Sequence, residues 1–446
     1  MQQSEIGGGG DEARAYRARL FARSTPPHTI RPWPLPRAQS QTIEALRREL
    51  ADASEALRTE IVAQFRDQVT QSGTPLIEEC DDSASTLFTF VWFGQAPHGV
   101  VVQLNRITDT LDVEDTKLEQ IEGSEVYALT LRLPSNWLGS YLFVPLPQPV
   151  PPAIHTRVDM RVVAGVARFA QADAHARERI PSKAVVASGA QVIPEYGVAR
   201  GPLAPSLTLW NNPPTVIRTL TGVVSPVTGA ELALHHYAME GTGESSPVIV
   251  FTDGEVWREQ FPIAAELEAQ RERGEIPAAH LLFLDSGGPL QREIDYAGDD
   301  RVTEALLKSV HTVAGSSIGD GPWIVVGQSL GGLFAAECAT RHPKLVSAAI
   351  AQSPSLWFPS SPSPWDYEPG WFEERAGRAN GAPILLEAGT IDAGVVERCR
   401  AAAALLTAQN SLIEYNEYPA GHDVLQWQAT LPKAIAKTLN SIAQYM

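Results

Sequence analysis

Apolar and polar positions follow two different periods along this chain, and the change of period divides it into two parts. Residues 41–70 carry apolar side chains near a helical spacing, which predicts an amphipathic helix with a break near Ala51. Short segments rich in β-branched and aromatic residues follow, and turn residues separate them. These segments are TLFTFVWF (86–93), GVVVQLN (99–105), EVYALTLRL (125–133) and SYLFVP (140–145). Their spacing predicts an all-β module of the sandwich type.

From about residue 217 the pattern changes to short, wholly apolar segments separated by helix-length stretches. The apolar segments are VIVF (248–251), LLFL (281–284), WIVVG (323–327), SAAIA (347–351) and PILLE (383–387), followed by LIEYNEY (412–418). Apolar strands that alternate with helices predict a parallel sheet covered on both faces. The second part of the chain is therefore predicted to be an α/β domain.

Proline-rich stretches at 145–152 and 211–216 indicate the edge of the first domain and a linker. With 446 residues the chain exceeds what one hydrophobic core usually serves. We predict a flexible arm over 1–40, a β-sandwich domain with a leading helix and linker over 41–210, and a catalytic α/β domain over 211–446.

Charge and composition narrow the class of protein. The 35 Lys and Arg residues against 52 Asp and Glu give a net charge of −17, which argues against binding to nucleic acid or to an anionic membrane. No long apolar run and no secretory signal are evident, so the expected compartment is the cytoplasm. The three cysteines are widely spaced, which suggests neither a zinc site nor a disulfide framework. No cofactor or bound metal is expected.

One serine carries the strongest chemical signal. The stretch WIVVGQSLGGLFAAE (323–337) places Ser329 in a G-x-S-x-G pattern between an apolar strand and a helix. Such a turn raises the hydroxyl above the sheet and directs a helix N-terminus at it. Ser329 is the predicted nucleophile of an α/β-hydrolase domain.

A serine hydroxyl needs a base, and in this fold the acid and then the histidine follow the serine along the chain. His342 ends the helix after Ser329 and is better explained as a helix cap. His422, in YPAGHDVLQW, follows the last predicted strand and is the predicted general base. Asp392, on the loop after PILLE, is the predicted triad acid; Glu387 and Asp423 remain alternatives.

An oxyanion hole needs two backbone N–H groups. The Leu330 N–H, directly after the nucleophile, is one candidate. The other is the N–H of Glu255, in the Asp253-Gly254 turn after the strand VIVF, although Asp-Gly also marks ordinary β-turns.

These segments together resemble the enterochelin esterase family, which hydrolyses iron-loaded catecholate siderophores. VIVFTDGEVW, VVGQSLGGLFAA, SPSLWF, LLEAGTID and AGHDVLQW occur in the family's order, and VVQLNRITD, GSEVYALTLRLP and GSYLFVPLP resemble its N-terminal domain. The resemblance covers roughly residues 80–446. It implies Ser329 as nucleophile, His422 as base, Asp392 as acid, and the Leu330 and Glu255 amides as oxyanion hole.

The resemblance also implies a reaction: hydrolysis of the tri-serine lactone of a ferric catecholate siderophore, with iron present only as part of the substrate. Because a ferric tris-catecholate is a trianion, a chain of charge −17 needs local cations, for which Arg292 and Arg106 are candidates. Trp257 and Trp357 are candidates to line an aryl pocket. The family's Arg-x-x-Glu-Leu stretch is replaced here by the sequence around Arg292-Glu293-Ile294.

Two other functions remain open at this point. The same serine turn would serve an esterase D-type carboxylesterase or an acyltransferase. A non-catalytic siderophore-binding protein is the alternative of a different class, and it would be expected to have lost parts of the triad.

Overall fold

The chain forms two compact units, and one of them is discontinuous in sequence. A computed structural model describes Ala15 and residues 34–104, 107–108, 116–149, 169–181, 195–206, 217–297, 300–358, 371–376 and 381–443. The N-terminal unit contains the described residues of His28–Ser206 together with Pro419–Gln426. The C-terminal unit contains those of Leu207–Tyr418 and Trp427–Met446.

Two helices open the N-terminal unit. They are α1 (Gln41–Ala51) and α2 (Glu55–Ser72), so the predicted helix is indeed broken after Ala51. Each begins at a serine whose hydroxyl accepts a backbone N–H three residues later, Ser40 from Ile43 and Ser54 from Leu57. These caps satisfy N–H groups that have no partner within the helix.

The strands of this unit form two four-stranded antiparallel sheets, ordered β1-β2-β5-β4 and β3-β6-β8-β7. The strands are β1 (Leu76–Glu79), β2 (Ser85–Phe93), β3 (Val100–Leu104), β4 (Glu119–Gln120), β5 (Val126–Pro134), β6 (Leu138–Pro145), β7 (Arg179–Pro181) and β8 (Glu195–Arg200). Buried aromatic rings join the sheets: Phe90 of β2 meets Tyr141 of β6 edge to face at 5.1 Å between ring centroids. The predicted β-sandwich is confirmed.

The last residues of the predicted arm are bonded to the β-sandwich. Residues 1–33, apart from Ala15, lie outside the described residues. The next residues are not loose, because the Ala38 N–H donates to the Thr130 carbonyl and the Pro36 carbonyl accepts from the Arg132 N–H. These bonds fix the segment before α1 along strand β5.

The C-terminal unit is built on one eight-stranded sheet, ordered β16-β15-β14-β13-β11-β12-β10-β9. Its strands are β9 (Arg218–Val224), β10 (Glu231–Ala238), β11 (Val248–Phe251), β12 (His280–Leu284), β13 (Trp323–Gln328), β14 (Ala348–Gln352), β15 (Ile384–Gly389) and β16 (Leu412–Tyr418). The pairings from β16 to β12 are parallel, as predicted. The hairpin β9–β10, which the sequence pattern did not reveal, adds two antiparallel strands at one edge.

Helices follow most of these strands. They are α3 (Ile263–Glu272), α4 (Pro289–Tyr296), α5 (Asp300–Ile318), α6 (Leu330–Arg341), α7 (Trp371–Ala376), α8 (Val396–Ala408) and α9 (Val424–Ile442), with a π-helical turn at Val256–Gln260. Strands β11 to β15 are buried along their whole length, which explains their uninterrupted apolar sequence. Among the described residues no helix is long and apolar enough to cross a membrane.

Two buried histidines join β10 to β12. The Nε2 atom of His236 lies 3.1 Å from the Nδ1 atom of His280, and both side chains are more than nine-tenths buried. Burial, followed by the charges of His280 and Arg218, lowers the pKa of His236 from 6.5 to about 4. The native state therefore holds this imidazole neutral where the unfolded chain protonates it.

This pair predicts a loss of stability in mild acid. Between pH 6.5 and 4 the unfolded chain binds more protons at His236 than the native state does, so the free energy of unfolding falls as the pH drops. The stabilising contribution of this histidine is fully present above pH 6.5. Between pH 7 and pH 5 we expect the free energy of unfolding to fall in both proteins, but by roughly 1 to 2 kcal/mol less in His236→Gln than in the wild type. Urea unfolding at both pH values measures this, and equal losses in the two proteins would contradict it.

Candidate active site

Ser329 lies in a backbone conformation that few residues adopt. It joins β13 to α6 with φ 58° and ψ −121°, a positive-φ conformation that normally belongs to glycine. Its neighbours explain how the turn fits. A Cβ on Gly327 would lie 2.0 Å from the Gly331 carbonyl oxygen, and a Cβ on Gly331 would lie 2.3 Å from the Thr252 hydroxyl. The glycines of G-x-S-x-G are therefore required by packing.

The backbone of the turn is bonded to strand β14 and the segment after it. The Ser329 N–H donates to the Gln352 carbonyl at 3.1 Å, and the Ser355 N–H donates to the Ser329 carbonyl at 2.9 Å. The Ser355 hydroxyl also lies 3.4 Å from the Ser329 hydroxyl. Ser355 was not among the predicted site residues, although it stands in the SPSLWF segment that resembles the family.

A chain of buried polar side chains crosses the sheet beneath Ser329. The Trp257 indole N–H donates to the Gln328 side-chain oxygen at 2.9 Å, and the Gln328 amide donates to Gln352 at 2.8 Å. Gln352 in turn donates to Glu387 at 2.7 Å, and Glu387 also accepts from the Thr430 hydroxyl at 2.6 Å. This glutamine ladder joins the ends of β13, β14 and β15 to helix α9.

The ladder bears on the choice of triad acid. Burial raises the pKa of Glu387, and the hydrogen bonds from Gln352 and Thr430 oppose that shift. Both hydrogen bonds reach the same oxygen, Oε2, which gives this carboxyl group a structural role. Asp392 lies on the loop after β15, fully buried, and its carbonyl accepts the N–H groups of Val395 and Val396 where α8 begins. Asp392 therefore remains the predicted acid, and Glu387 is better explained as part of the ladder.

The two candidate oxyanion donors stand at the start of α6 and just before the π-helical turn, and their role stays a prediction. Leu330 is the first residue of α6, so its N–H has no acceptor within the helix. Glu255 precedes the π-helical turn, and its carboxylate accepts from the N–H and the hydroxyl of Ser286. The Gly254 backbone packs so closely on β12 that a Cβ would lie 2.5 Å from the Phe283 carbonyl carbon. The turn is thus held from two sides.

Arg292 forms an ion pair with Asp253. Its guanidinium binds both carboxylate oxygens of Asp253, at 2.6 and 2.8 Å, and donates to the Gln328 carbonyl at 3.2 Å. Burial opposes the charged guanidinium, but the Asp253 carboxylate outweighs it and raises the pKa of Arg292. Arg292 thus links Asp253, next to the candidate oxyanion turn, to the end of β13 before Ser329, while its contact with the substrate stays a prediction.

The two tryptophans are buried. Trp257 is 1% exposed and belongs to the glutamine ladder, and Trp357 is 5% exposed and packs edge to face on Phe358. Their part in an aryl pocket stays a prediction. Arg106 lies outside the described residues and stays a prediction.

His422 lies on the loop between β16 and α9, four residues after Tyr418 ends the strand. Strands β13, β15 and β16 are parallel members of one sheet, so the serine, the aspartate and the histidine all follow carboxyl ends of strands. The loop itself, Pro419–Gln426, belongs to the N-terminal compact unit. The pairing of His422 with Ser329 and Asp392 stays a prediction.

The sheet order, the helix after β13 and the strained serine between them define an α/β-hydrolase fold with a nucleophile turn. Comparison with known proteins gives the same class and extends it to the N-terminal half. Residues 87–210 match the family model described as the N-terminal domain of enterochelin esterase, and residues 233–438 match the model described as a putative esterase. The chain is an ester hydrolase and belongs to the enterochelin esterase family.

Individual relatives support this assignment. An iron(III) enterobactin esterase of Dickeya dadantii is 27% identical over 410 residues, which cover 82% of this chain and 90% of the relative. An iron(III) salmochelin esterase of Escherichia coli is 24% identical and covers 87% of this chain and 95% of its own. Among solved structures, the ferric enterobactin esterase of Salmonella typhimurium has a TM-score of 0.71 at 22% identity, over 85% of this chain and 99% of that one. At that identity the structure shows a shared fold.

An isosteric pair of variants distinguishes the two candidate acids. We expect Asp392→Asn to lower kcat on p-nitrophenyl butyrate by about 10³-fold or more, because a histidine without its carboxylate takes the wrong tautomer. Glu387→Gln keeps an oxygen that can accept from Gln352 and Thr430, so we expect less than about a tenfold loss. The reverse order of effects would assign the acid to Glu387.

A second pair of variants tests the link between Arg292 and Asp253. A lysine cannot bind both oxygens of Asp253, so we expect Arg292→Lys to lower kcat about tenfold or more on a neutral ester such as p-nitrophenyl butyrate. Arg271→Lys, in the ion pair with Glu268 on α3, is the matched control and should change kcat less than twofold. A normal kcat on the neutral ester with a raised KM for an anionic ester would support the substrate-binding role.

Proposed function

We propose that this protein hydrolyses the ester bonds of the tri-serine lactone in ferric enterobactin-type catecholate siderophores and so releases iron inside the cell. The observation that carries this proposal is the joining, in one chain, of an enterochelin esterase N-terminal domain to a hydrolase domain with a strained serine turn. Relatives that cover most of the chain are named as esterases of enterobactin or salmochelin.

The proposed reaction begins at Ser329. Its hydroxyl attacks an ester carbonyl of the lactone while His422 accepts the proton, and Asp392 holds the imidazole in one tautomer. The N–H groups of Leu330 and Glu255 stabilise the negative charge on the carbonyl oxygen. The strained turn favours this role because it leaves the hydroxyl at the end of the strand, next to the N-terminus of α6.

The tetrahedral intermediate then collapses. The ester C–O bond breaks, the leaving serine hydroxyl takes the proton from His422, and the acyl group stays on Ser329. A water molecule, deprotonated by His422, attacks the acyl-enzyme, and the same two amides stabilise the second oxyanion. The products are an opened ester with a free carboxylate and the regenerated serine.

Opening the lactone links the chemistry to iron. The macrocycle holds three catechols in place around the metal, so cutting one ester removes that preorganisation and weakens chelation. The ferric substrate is a trianion, whereas Arg292 is neutralised by Asp253. We propose Arg106 of the N-terminal domain as a contact for the bound anion.

Incubation with ferric enterobactin tests the proposal. We expect linear and then shorter dihydroxybenzoylserine products, resolved by chromatography and mass spectrometry, and at least about a 10³-fold lower rate for Ser329→Ala. Binding of the ferric siderophore without hydrolysis would indicate a binding protein instead. Hydrolysis of p-nitrophenyl butyrate with an untouched lactone would indicate an esterase D-type carboxylesterase.

A further inference from the structure

The loop that carries His422 is not held by the catalytic sheet alone. Although the loop follows β16 in sequence, Pro419–Gln426 groups with the N-terminal β-sandwich. Ala420 and Asp423 within it are buried. Contacts within the N-terminal unit therefore fix the segment that carries His422, the candidate base.

The fixing contact is made by the carboxylate directly after the histidine. One oxygen of Asp423 accepts the Leu425 N–H at 2.9 Å, which caps the first turn of α9. The other oxygen accepts the backbone N–H and the hydroxyl of Ser140, both at 2.8 Å. Asp423 is 2% exposed, so no solvent competes for these bonds. Three donors on one carboxylate leave the loop little freedom to rotate.

Ser140 offers a rigid point of attachment. It lies in β6, and residues Leu138 to Tyr141 of that strand pair in register with β8. On the other side, β3 pairs with β6 only from Tyr141 onward, so Ser140 lies one residue beyond that pairing and its N–H is turned to Asp423. The adjacent Tyr141 is 1% exposed and donates to Asp173 in the same sandwich.

We propose that Ser140 and Asp423 are positioning residues that hold His422 where it can take the proton from Ser329. The N-terminal domain would then contribute to the proton-transfer step itself, in addition to any contact with the siderophore. This inference rests on the proposed role of His422 as general base. Displacing a reacting group by about 1 Å can cost 10²-fold in rate, so a loop anchored by three short hydrogen bonds is a direct determinant of turnover.

The hydrogen bonds between Asp423 and Ser140, here called the tether, also explain why Asp423 is a poor candidate for the triad acid. Both of its oxygens are occupied by donors from Ser140 and Leu425. Burial raises the pKa of Asp423, while these hydrogen bonds and the charge of His422 oppose the shift.

A covalent probe of the serine tests the tether without any siderophore. Diethyl p-nitrophenyl phosphate phosphorylates a serine only as fast as its base can remove the proton, so its inactivation rate reports the Ser329–His422 step directly. The full-length wild type is compared with Asp423→Asn, Ser140→Ala and Ser140→Thr. Hydrolysis of p-nitrophenyl acetate by the same proteins gives kcat and KM separately.

We expect Asp423→Asn to slow phosphorylation about 30-fold or more, because an amide cannot accept from Ser140 and from Leu425 at once. Ser140→Ala, which keeps the backbone N–H but loses the hydroxyl, should slow it about three- to tenfold. Ser140→Thr should restore most of that loss. The effects should fall on kcat with KM for the acetate unchanged, and adding Ser140→Ala to Asp423→Asn should cost little more.

Ser135→Ala is the matched control. Ser135 is a buried serine of the same β-sandwich, bonded to Thr86 and to the Ser83 carbonyl, and its removal should leave phosphorylation within twofold. Folded Ser140→Ala and Asp423→Asn proteins that react at the wild-type rate would overturn the tether. If Ser135→Ala slows phosphorylation equally, the effects of the Ser140 and Asp423 variants reflect general destabilisation, and the tether is refuted. If Asp423→Asn does not fold, the two Ser140 variants decide the question alone.

These outcomes are independent of the substrate. A chain that reacts with the phosphate reagent as expected but leaves ferric enterobactin intact would refute the proposed function and keep the tether. A chain that hydrolyses ferric enterobactin at the same rate with and without the Ser140 hydroxyl would support the proposed function and refute the positioning role of Ser140.

Discussion

The strained turn at Ser329 is the constraint on which the rest of the catalytic unit depends. A left-handed, non-glycine conformation costs on the order of 1 to 3 kcal/mol and persists only where the surroundings leave the chain no alternative. Here Gly327 and Gly331 allow the close approach, and the bonds to Gln352 and Ser355 fix the backbone on both sides. The glutamine ladder then ties the strand ends together, so the turn cannot relax without breaking a buried polar chain.

Two carboxylates each hold a loop that carries a candidate catalytic group, and they do so by the same physical means. Asp253 binds Arg292 beside the candidate oxyanion turn, and Asp423 binds Ser140 beside the candidate base. In each case the carboxylate is within two residues of a group that the reaction would use but is itself fully occupied by donors. A buried charge with all its partners in place stiffens a loop, whereas the loss of one partner is costly. The candidate catalytic groups and the carboxylates that hold their loops are thus different residues.

Local signals predicted the strands and the serine turn, because buried parallel strands and a G-x-S-x-G corner each reveal themselves within a few residues. The edge hairpin escaped notice because β9 is mostly exposed and lacks a continuous apolar pattern. The contacts that Arg292 and Trp257 make within the protein were not predicted, for another reason. Their partners, Asp253 and Gln328, are 39 and 71 residues away, and a single sequence does not say which charges and amides meet.

The discontinuous N-terminal unit has a consequence for how the protein is made. The strands of the β-sandwich are synthesised first, but the segment that completes this unit, Pro419–Gln426, is synthesised only after Leu207–Tyr418 of the other unit. Until then the backbone N–H of Ser140 lacks its carboxylate partner, and the histidine has no fixed place. The bonds between Asp423 and Ser140 can therefore form only after strand β16 has been synthesised, so the β-sandwich gains its last contacts after most of the C-terminal unit has been made.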